Sequence, residues 1–347
     1  MHAGSSLHPD LQRWRGREVI GLDLVVTGPR DVAGVEQVPH GRTARRLEWA
    51  LLPPTLRRRI ETHLGSAVAD ARSAGSGYTP GLASALIGAD GRRMFVKAAS
   101  LKAQRPFADA YREEIRKLRA LPSGLPVPRL LWSFEDDAWV VLGLEYVDGA
   151  NPQRPWQPPE LEACLDAIEM IAEALTPAPA DLGLVALTAE EEFGAMLTGW
   201  NHVARKHPDW PHLDDAAALA SRHATALAGD SLMHTDARDD NFLVTPDGRA
   251  VLCDWNWPVL GPSWADSVML LISPAGEGLD VDTVLRRRRL TRDVDPDHVD
   301  VLLALLTGYF LEARDRPVPS SSPFVRVHQE WYAHATWAWL ANRRGWS

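Results

Sequence analysis

His234, Asp236, Asn241 and Asp254 are the residues of this chain whose types and spacing carry chemistry. Asp236 and Asn241 lie five apart in His234-Thr235-Asp236-Ala237-Arg238-Asp239-Asp240-Asn241, and Asp254 follows thirteen residues later in Val251-Leu252-Cys253-Asp254-Trp255. A phosphoryl-transferring site needs such a set. One carboxylate orients the acceptor hydroxyl, while an amide and a second carboxylate hold metal ions on the nucleotide phosphates. Any one of these residues alone is uninformative, since a lone histidine is more often packed than reactive and a strand-end aspartate is more often a cap. The inference rests on the set.

Local elements must bring these side chains together. Phe242-Leu243-Val244 reads as a short buried strand, and residues 250–253 as its return. Thr245-Pro246-Asp247-Gly248 between them is turn chemistry, with Gly supplying a positive φ and Pro a fixed one. Such a hairpin delivers Asp254 beside Asn241.

Upstream, residues 67–97 read as three strands, 68–72, 82–88 and 93–97, with Asp90-Gly91 as a tight turn. Between the first two lies Gly75-Ser76-Gly77-Tyr78-Thr79-Pro80-Gly81, whose glycines let backbone N–H groups approach phosphates closely. The third strand ends in Lys97. Residues 106–121 have helical periodicity through Phe107, Tyr111, Ile115, Leu118 and Leu121. Glu113 and Glu114 on that helix point about 100° apart, so only one can face Lys97.

In this order the elements resemble the aminoglycoside phosphotransferase family, small-molecule kinases built on a protein-kinase-like fold. Protein kinases write the loop as H-R-D-x-x-x-x-N followed by D-F-G; here it is H-x-D-x-x-x-x-N followed by D-W. The resemblance covers about residues 65–340 and implies an α+β, two-lobe architecture. A small antiparallel sheet with one helix forms the first lobe, and a larger, mainly helical lobe follows. The expected division is an N-terminal extension and helix (1–64), a nucleotide-binding lobe (65–149) and a catalytic, substrate-binding lobe (150–347).

The resemblance also implies roles. Asn241 and Asp254 hold Mg²⁺ on ATP or GTP, and Asp236 accepts or orients the acceptor hydroxyl. Lys97 contacts the α- and β-phosphates and is fixed by Glu114, which shares a helix face with Leu118 and Leu121; Glu113 is the reserve choice. Ser76, Gly77 and Tyr78 belong to the phosphate loop, and the backbone around Glu145 and Val147 binds the nucleobase. Arg238 stands where protein kinases carry a lysine that contacts the transferring phosphoryl group; its alternative is a surface arginine paired with Asp239 or Asp240. Asp266, in Gly261-Pro262-Ser263-Trp264-Ala265-Asp266, matches the family's G-P-x-x-x-D element and would brace the catalytic loop; a plain helix-N-terminal carboxylate is the competing reading. Thr235 departs from the glycine common after the loop histidine, which costs backbone freedom but removes no chemical group.

Bulk properties set limits. With 347 residues, 45% hydrophobic and 24% charged, the chain is an ordinary globular protein large enough for two lobes. A net charge of -9 argues against a nucleic-acid partner. The longest apolar stretch, 299–311, is broken by Asp300 and Gly308, so no membrane span is expected, and the N-terminus has no signal-peptide core. Cys164 and Cys253 form neither a disulfide framework nor a metal-binding spacing. A cytoplasmic location is expected. Residues 22–27 read as a strand with no assigned role. Helices are expected at 161–175, 190–206, 213–227, 281–290, 296–314 and 323–343, with the arginine run 286–289 as a solvated helix face.

The acceptor is the open point. The first reading is a small hydroxylated molecule, antibiotics included. The second is a primary metabolite such as an amino alcohol or sugar derivative. The third is a catalytically inactive binding protein, against which the joint retention of Lys97, Asp236, Asn241 and Asp254 argues. The absence of an A-P-E element argues against a protein kinase. Asp239, Asp240 and Glu190 to Glu192 would suit a cationic acceptor; Trp255, Trp257, Trp331 and Trp337 would suit an aromatic one.

Overall fold

A computed structural model of the protein describes residues 44–77, 79–180 and 187–346. The strand expected at 22–27 and Tyr78 lie outside the described residues.

The first lobe is a five-stranded antiparallel sheet in the order β1-β2-β3-β5-β4. Its strands are β1 (Val68–Ser73), β2 (Leu82–Gly88), β3 (Arg93–Ser100), β4 (Leu130–Glu135) and β5 (Trp139–Glu145). Strand alternation divides β3 between two faces. Met94, Val96 and Ala98 pack with Leu56, Ile60 and Leu64 of α1 (Pro54–Leu64). Ala99 packs on the opposite face with Ala108, Tyr111 and Ile115 of α2 (Arg105–Ala120), and Lys97 shares that side. The helix grouped with the N-terminal extension thus covers one face of this sheet. Ile60 is fully buried there, and truncating it to alanine would cost about 2–5 kcal/mol.

The second lobe contains α3 (Pro158–Ala174), α4 (Ala189–Gly194), α5 (Thr198–Lys206), α6 (Leu213–Ala220), α7 (His223–Ala226), α8 (Ala265–Gly276), α9 (Val281–Arg287), α10 (Pro296–Arg314) and α11 (Val325–Arg344). Two small ladders interrupt the helices: β6 (Ser231–Met233) with β9 (Val259–Gly261), and β7 (Phe242–Val244) with β8 (Ala250–Leu252). α10 is apolar nearly all round, with Val301, Leu302, Leu303 and Leu305 fully buried, and forms the centre of the lobe.

Two expected helices are divided. A 3₁₀ turn at Ala195–Leu197 separates α4 from α5, and residues 221–222 separate α6 from α7. α8 was not among the expected helices; its apolar residues are buried on all sides, so no amphipathic stripe marks it. The arginine run is solvated at Arg286, Arg287 and Arg289, which are exposed, but not at Arg288. Arg288 is 14% exposed at its side chain and pairs with Glu162, Asp166 and Glu169 of α3, while Arg289 reaches Glu173. These acids recur at helical spacing, so one stripe of α3 receives the end of α9.

Candidate active site

The hairpin positions the acids as its spacing requires. Phe242 opposes Leu252, and Val244 opposes Ala250. The Cys253 amide donates to the Asn241 carbonyl at 2.8 Å, which fixes Asp254 one residue beyond. Asp254 and Thr235 both adopt left-handed backbone, each at φ 68. Such conformations are costly for residues with a Cβ and concentrate where function constrains the chain.

The loop from His234 to Asn241 is braced at several points. His234 is buried, and its Nε2 lies 2.8 Å from the Cys253 carbonyl, which ties loop to hairpin. The Asp266 carboxylate accepts from the amides of His234 at 2.7 Å and Thr235 at 2.8 Å. Asp266 sits in the first turn of α8, so it braces the loop and faces the helix dipole together. Burial raises its pKa, opposed by His234 and by both backbone hydrogen bonds. The Thr235 hydroxyl donates to the Trp257 carbonyl at 2.8 Å, an anchor glycine lacks.

Asp236 is held from two directions. Arg238 forks onto its carboxylate, Nε to Oδ1 at 2.6 Å and Nη2 to Oδ2 at 3.0 Å. Arg238 Nη1 also lies 2.8 Å from His328 Nε2 on α11, and Asp240 lies 3.6 Å from Nη2. Burial disfavours the guanidinium charge, but Asp236 and Asp240 outweigh it and raise the pKa. The Asn241 amide nitrogen donates to the Asp236 carbonyl at 2.8 Å and to Oδ2 at 2.9 Å. Asn241 Oδ1 is therefore the side-chain atom left for another partner.

Lys97 joins the lobes. Its Nζ donates to both Glu114 oxygens at 2.7 and 2.9 Å and to Asp254 Oδ1 at 2.8 Å. Glu114 is thus the partner, while Glu113 pairs with Arg116 at the exposed side of α2. Burial disfavours the Lys97 charge, but Asp254 and Glu114 outweigh it, and its pKa is raised. Burial pushes Glu114 up to about 7 despite Lys97. Asp254 stays below the usual carboxylate range because Lys97 overcomes its burial. Asn256 Nδ2 also reaches Asp254 Oδ1 at 2.5 Å, so Oδ2 remains for a cation. An amide oxygen and a carboxylate oxygen are hard donors and fit Mg²⁺.

Ser76 and Gly77 lie in the loop between β1 and β2, with Gly77 at φ 79. The Glu145 amide donates to the Arg129 carbonyl at 2.9 Å, so Glu145 would meet a nucleobase through its carbonyl only. Val147 follows in the connection between the lobes.

Several residues escaped the sequence reading. Lys117 donates from α2 to the Asn256 carbonyl at 2.7 Å and ties α2 to the chain after Asp254. Its position three residues after Glu114 on one helix was the available signal. Asn256 stands two residues after Asp254, which was its signal, whereas Arg46 had none, because its contacts depend on how distant segments pack. Of the acids nominated for the acceptor, two are engaged internally, with Asp239 buried and paired with Arg154 at 3.0 Å and Asp240 half-buried against Arg238, while Glu190 and Glu191 are exposed and Glu191 closes a capping box with Thr188. Of the four nominated tryptophans only Trp257 is exposed, at 56%; Trp255 is fully buried against His234.

The two-lobe fold and this convergence of lysine, acids and amide define a kinase-like phosphotransferase. Residues 81–302 match the phosphotransferase enzyme family, and the chain belongs to that family. Its members are small-molecule phosphotransferases acting on hydroxyl groups. Among solved structures, the chain is similar to an aminoglycoside phosphotransferase from Alicyclobacillus acidocaldarius, at 17% identity and a TM-score of 0.54, covering 85% of this chain and 96% of that one. An amicoumacin kinase in complex with AMP-PNP, Ca²⁺ and Ami is similar at 13% identity and 0.54, covering 83% and 95%. A choline kinase from Streptococcus pneumoniae is similar at 14% identity and 0.51, covering 82% and 98%. These likenesses show the kinase-like fold. No curated protein matches the chain in sequence. Among the described residues no helix is long and apolar enough to cross a membrane.

Proposed function

We propose that this protein transfers the γ-phosphate of ATP or GTP to a hydroxyl of a small molecule in the cytoplasm, with antibiotics the first acceptor class to test. The observation that carries this reading is the position of Lys97 Nζ, within 2.7 Å of Glu114 and 2.8 Å of Asp254. Three segments distant in sequence meet there in the arrangement a nucleotide's phosphates need. An inactive binding protein has no need to keep a buried lysine, two acids, Asp236 and Asn241 in one cleft.

In this reading Lys97, fixed by Glu114, contacts the α- and β-phosphates under the Ser76–Gly77–Tyr78 loop. The Glu145 carbonyl and the Val147 amide face the nucleobase. Asn241 Oδ1 and Asp254 Oδ2 would hold Mg²⁺, which when bound neutralises phosphate charge. The amicoumacin kinase of this fold holds a nucleotide analogue with a divalent cation, in keeping with that pairing. Asp236 orients the acceptor hydroxyl and takes its proton as the oxygen bonds to the γ-phosphorus. The bond to the β-phosphate oxygen breaks, and its electron pair leaves with the nucleoside diphosphate. Arg238 steadies Asp236 and offers N–H donors to the charge that develops on the transferring group. The division into residues 1–64, 65–149 and 150–347 belongs to the same reading.

The test is a nucleotide-consumption screen with Mg²⁺, ATP and GTP against antibiotics, amino alcohols and sugar derivatives. Acceptor-dependent turnover supports the reading and names the substrate class. Turnover on amino alcohols or sugars alone would move the assignment to a metabolite kinase. Absence of nucleotide binding would contradict it.

A further inference from the structure

We infer that Arg46, in the segment before α1, is a positioning residue of the phosphate site: it clamps the glycine-rich loop and adds a second cation beside Lys97. The inference rests on reading that loop as the phosphate loop. It lies outside the family match, which begins at residue 81.

The geometry is direct. Arg46 Nη1 donates to the Thr79 carbonyl at 2.9 Å, and Nη2 donates to the Ser76 carbonyl at 2.5 Å. One planar fork therefore spans the loop, a geometry that a single ammonium cannot reproduce. Gly77 sits between those carbonyls in left-handed backbone, and a Cβ there would lie 2.9 Å from Arg46 Nη2. The loop glycine thus serves the arginine as well as the turn. Neighbouring residues extend the clamp. The Leu47 amide donates to the Pro80 carbonyl at 3.2 Å, and the Arg45 amide donates to the Ser321 carbonyl at 2.8 Å, in the connection between α10 and α11. Residues 45–47 consequently tie the loop to the second lobe.

Arg46 also belongs electrostatically to the site. Burial lowers its pKa, and the charges that oppose this include Asp254 and Asp240. Two of an arginine's five N–H donors are used on the loop carbonyls. Phosphates entering beneath the loop would meet a cation held in place by the loop carbonyls.

The test is calorimetric titration of the full chain and its Arg46→Ala, Arg46→Gln and Arg46→Lys variants. The ligands are adenosine, AMP, ADP and ATP with Mg²⁺, and the guanosine series, with thermal melts alongside. Arg46→Ala is expected to weaken triphosphate binding about ten- to a hundred-fold, the range for a lost charge-assisted hydrogen bond, with nucleoside affinity preserved. Nucleotide KM should rise while acceptor KM holds. Arg46→Gln, which keeps hydrogen-bonding capacity without charge, should show the same split if Arg46→Ala fails to fold, and Arg46→Lys should restore only part of the loss. Equal weakening of nucleoside and triphosphate, or unchanged triphosphate binding, would overturn the inference while leaving the proposed function intact. A wild type that binds no nucleotide overturns both.

Discussion

Arg238 forks onto both oxygens of Asp236, two residues away, at 2.6 and 3.0 Å. The carboxylate expected to receive the acceptor hydroxyl is thereby fixed in one orientation by the group expected to face the transferring phosphoryl. Arg238→Ala should lower kcat about 10²–10³-fold, the usual effect of losing one preorganised donor, and leave nucleotide KM nearly unchanged. Steady-state kinetics at saturating acceptor give both numbers. A rise in nucleotide KM with unaltered kcat would place Arg238 on the ground-state nucleotide instead.

Glu114 titrates near 7, because burial raises it and Lys97 only partly offsets the effect. As pH falls through that value the carboxylate is lost and Lys97 is released from it. Nucleotide KM should therefore rise below about pH 7. Glu114→Gln should show a high KM that no longer varies across this range. Asp240 is also pushed up to about 7 by burial, but it faces Arg238, so its titration should appear in kcat. For stability the sign is opposite. A folded pKa above the ordinary value means that Glu114 favours the fold most at acid pH and loses that contribution as pH rises through about 7. Ionisation of Glu114 as pH rises through about 7 serves binding rather than stability, and an acid limb of nucleotide KM unchanged in Glu114→Gln would refute this.

Thr235 holds left-handed backbone at φ 68, where a β-branched residue is strained by about 1–3 kcal/mol. Thr235→Gly relieves that strain but loses the hydroxyl bond to the Trp257 carbonyl, worth about 1 kcal/mol. It also gains unfolded-state entropy worth about 0.5–1 kcal/mol. Urea denaturation should give a stability within about 1 kcal/mol of wild type, with turnover retained. Loss of turnover would show that the hydroxyl does more than anchor the loop.

Arg154 anchors the base of the catalytic loop. It pairs with Glu277 and with Asp239, and its side chain is 6% exposed. Tyr332 donates to the other Asp239 oxygen at 3.2 Å. Arg154→Ala would leave two buried carboxylates without their cation and should cost about 3–5 kcal/mol in chemical denaturation. A cost below 1 kcal/mol would mean that water enters the space and screens them.

The site was legible wherever its parts are local. The turn at 245–248 and two flanking apolar runs suffice to bring Asn241 and Asp254 together, and helical spacing lets only one of Glu113 and Glu114 face Lys97, which in the structure is Glu114. Strand alternation likewise assigns Lys97 to the face of α2. What escaped depends on long-range packing. Arg46 reaches its loop across 30 or more residues, Asn256 reports on α2 from the other lobe, and α8 is buried on every side and so carries no periodic pattern. The breaks between α4 and α5 and between α6 and α7 were missed because apolar residues continue through them at near-helical spacing. The pairing of the acids near the acceptor side was hidden for the same reason, since Asp239 meets Arg154 across 85 residues.

The most direct measurement is transfer of labelled γ-phosphate from ATP or GTP to an acceptor by wild type and Asp236→Asn, with nucleotide affinity determined on both. Asp236→Asn keeps the size of the side chain and its contact with Asn241 but cannot take the proton. Transfer is expected to fall about 10²–10⁴-fold with nucleotide affinity nearly unchanged. Undiminished transfer by Asp236→Asn would contradict the central claim that this carboxylate serves the acceptor hydroxyl.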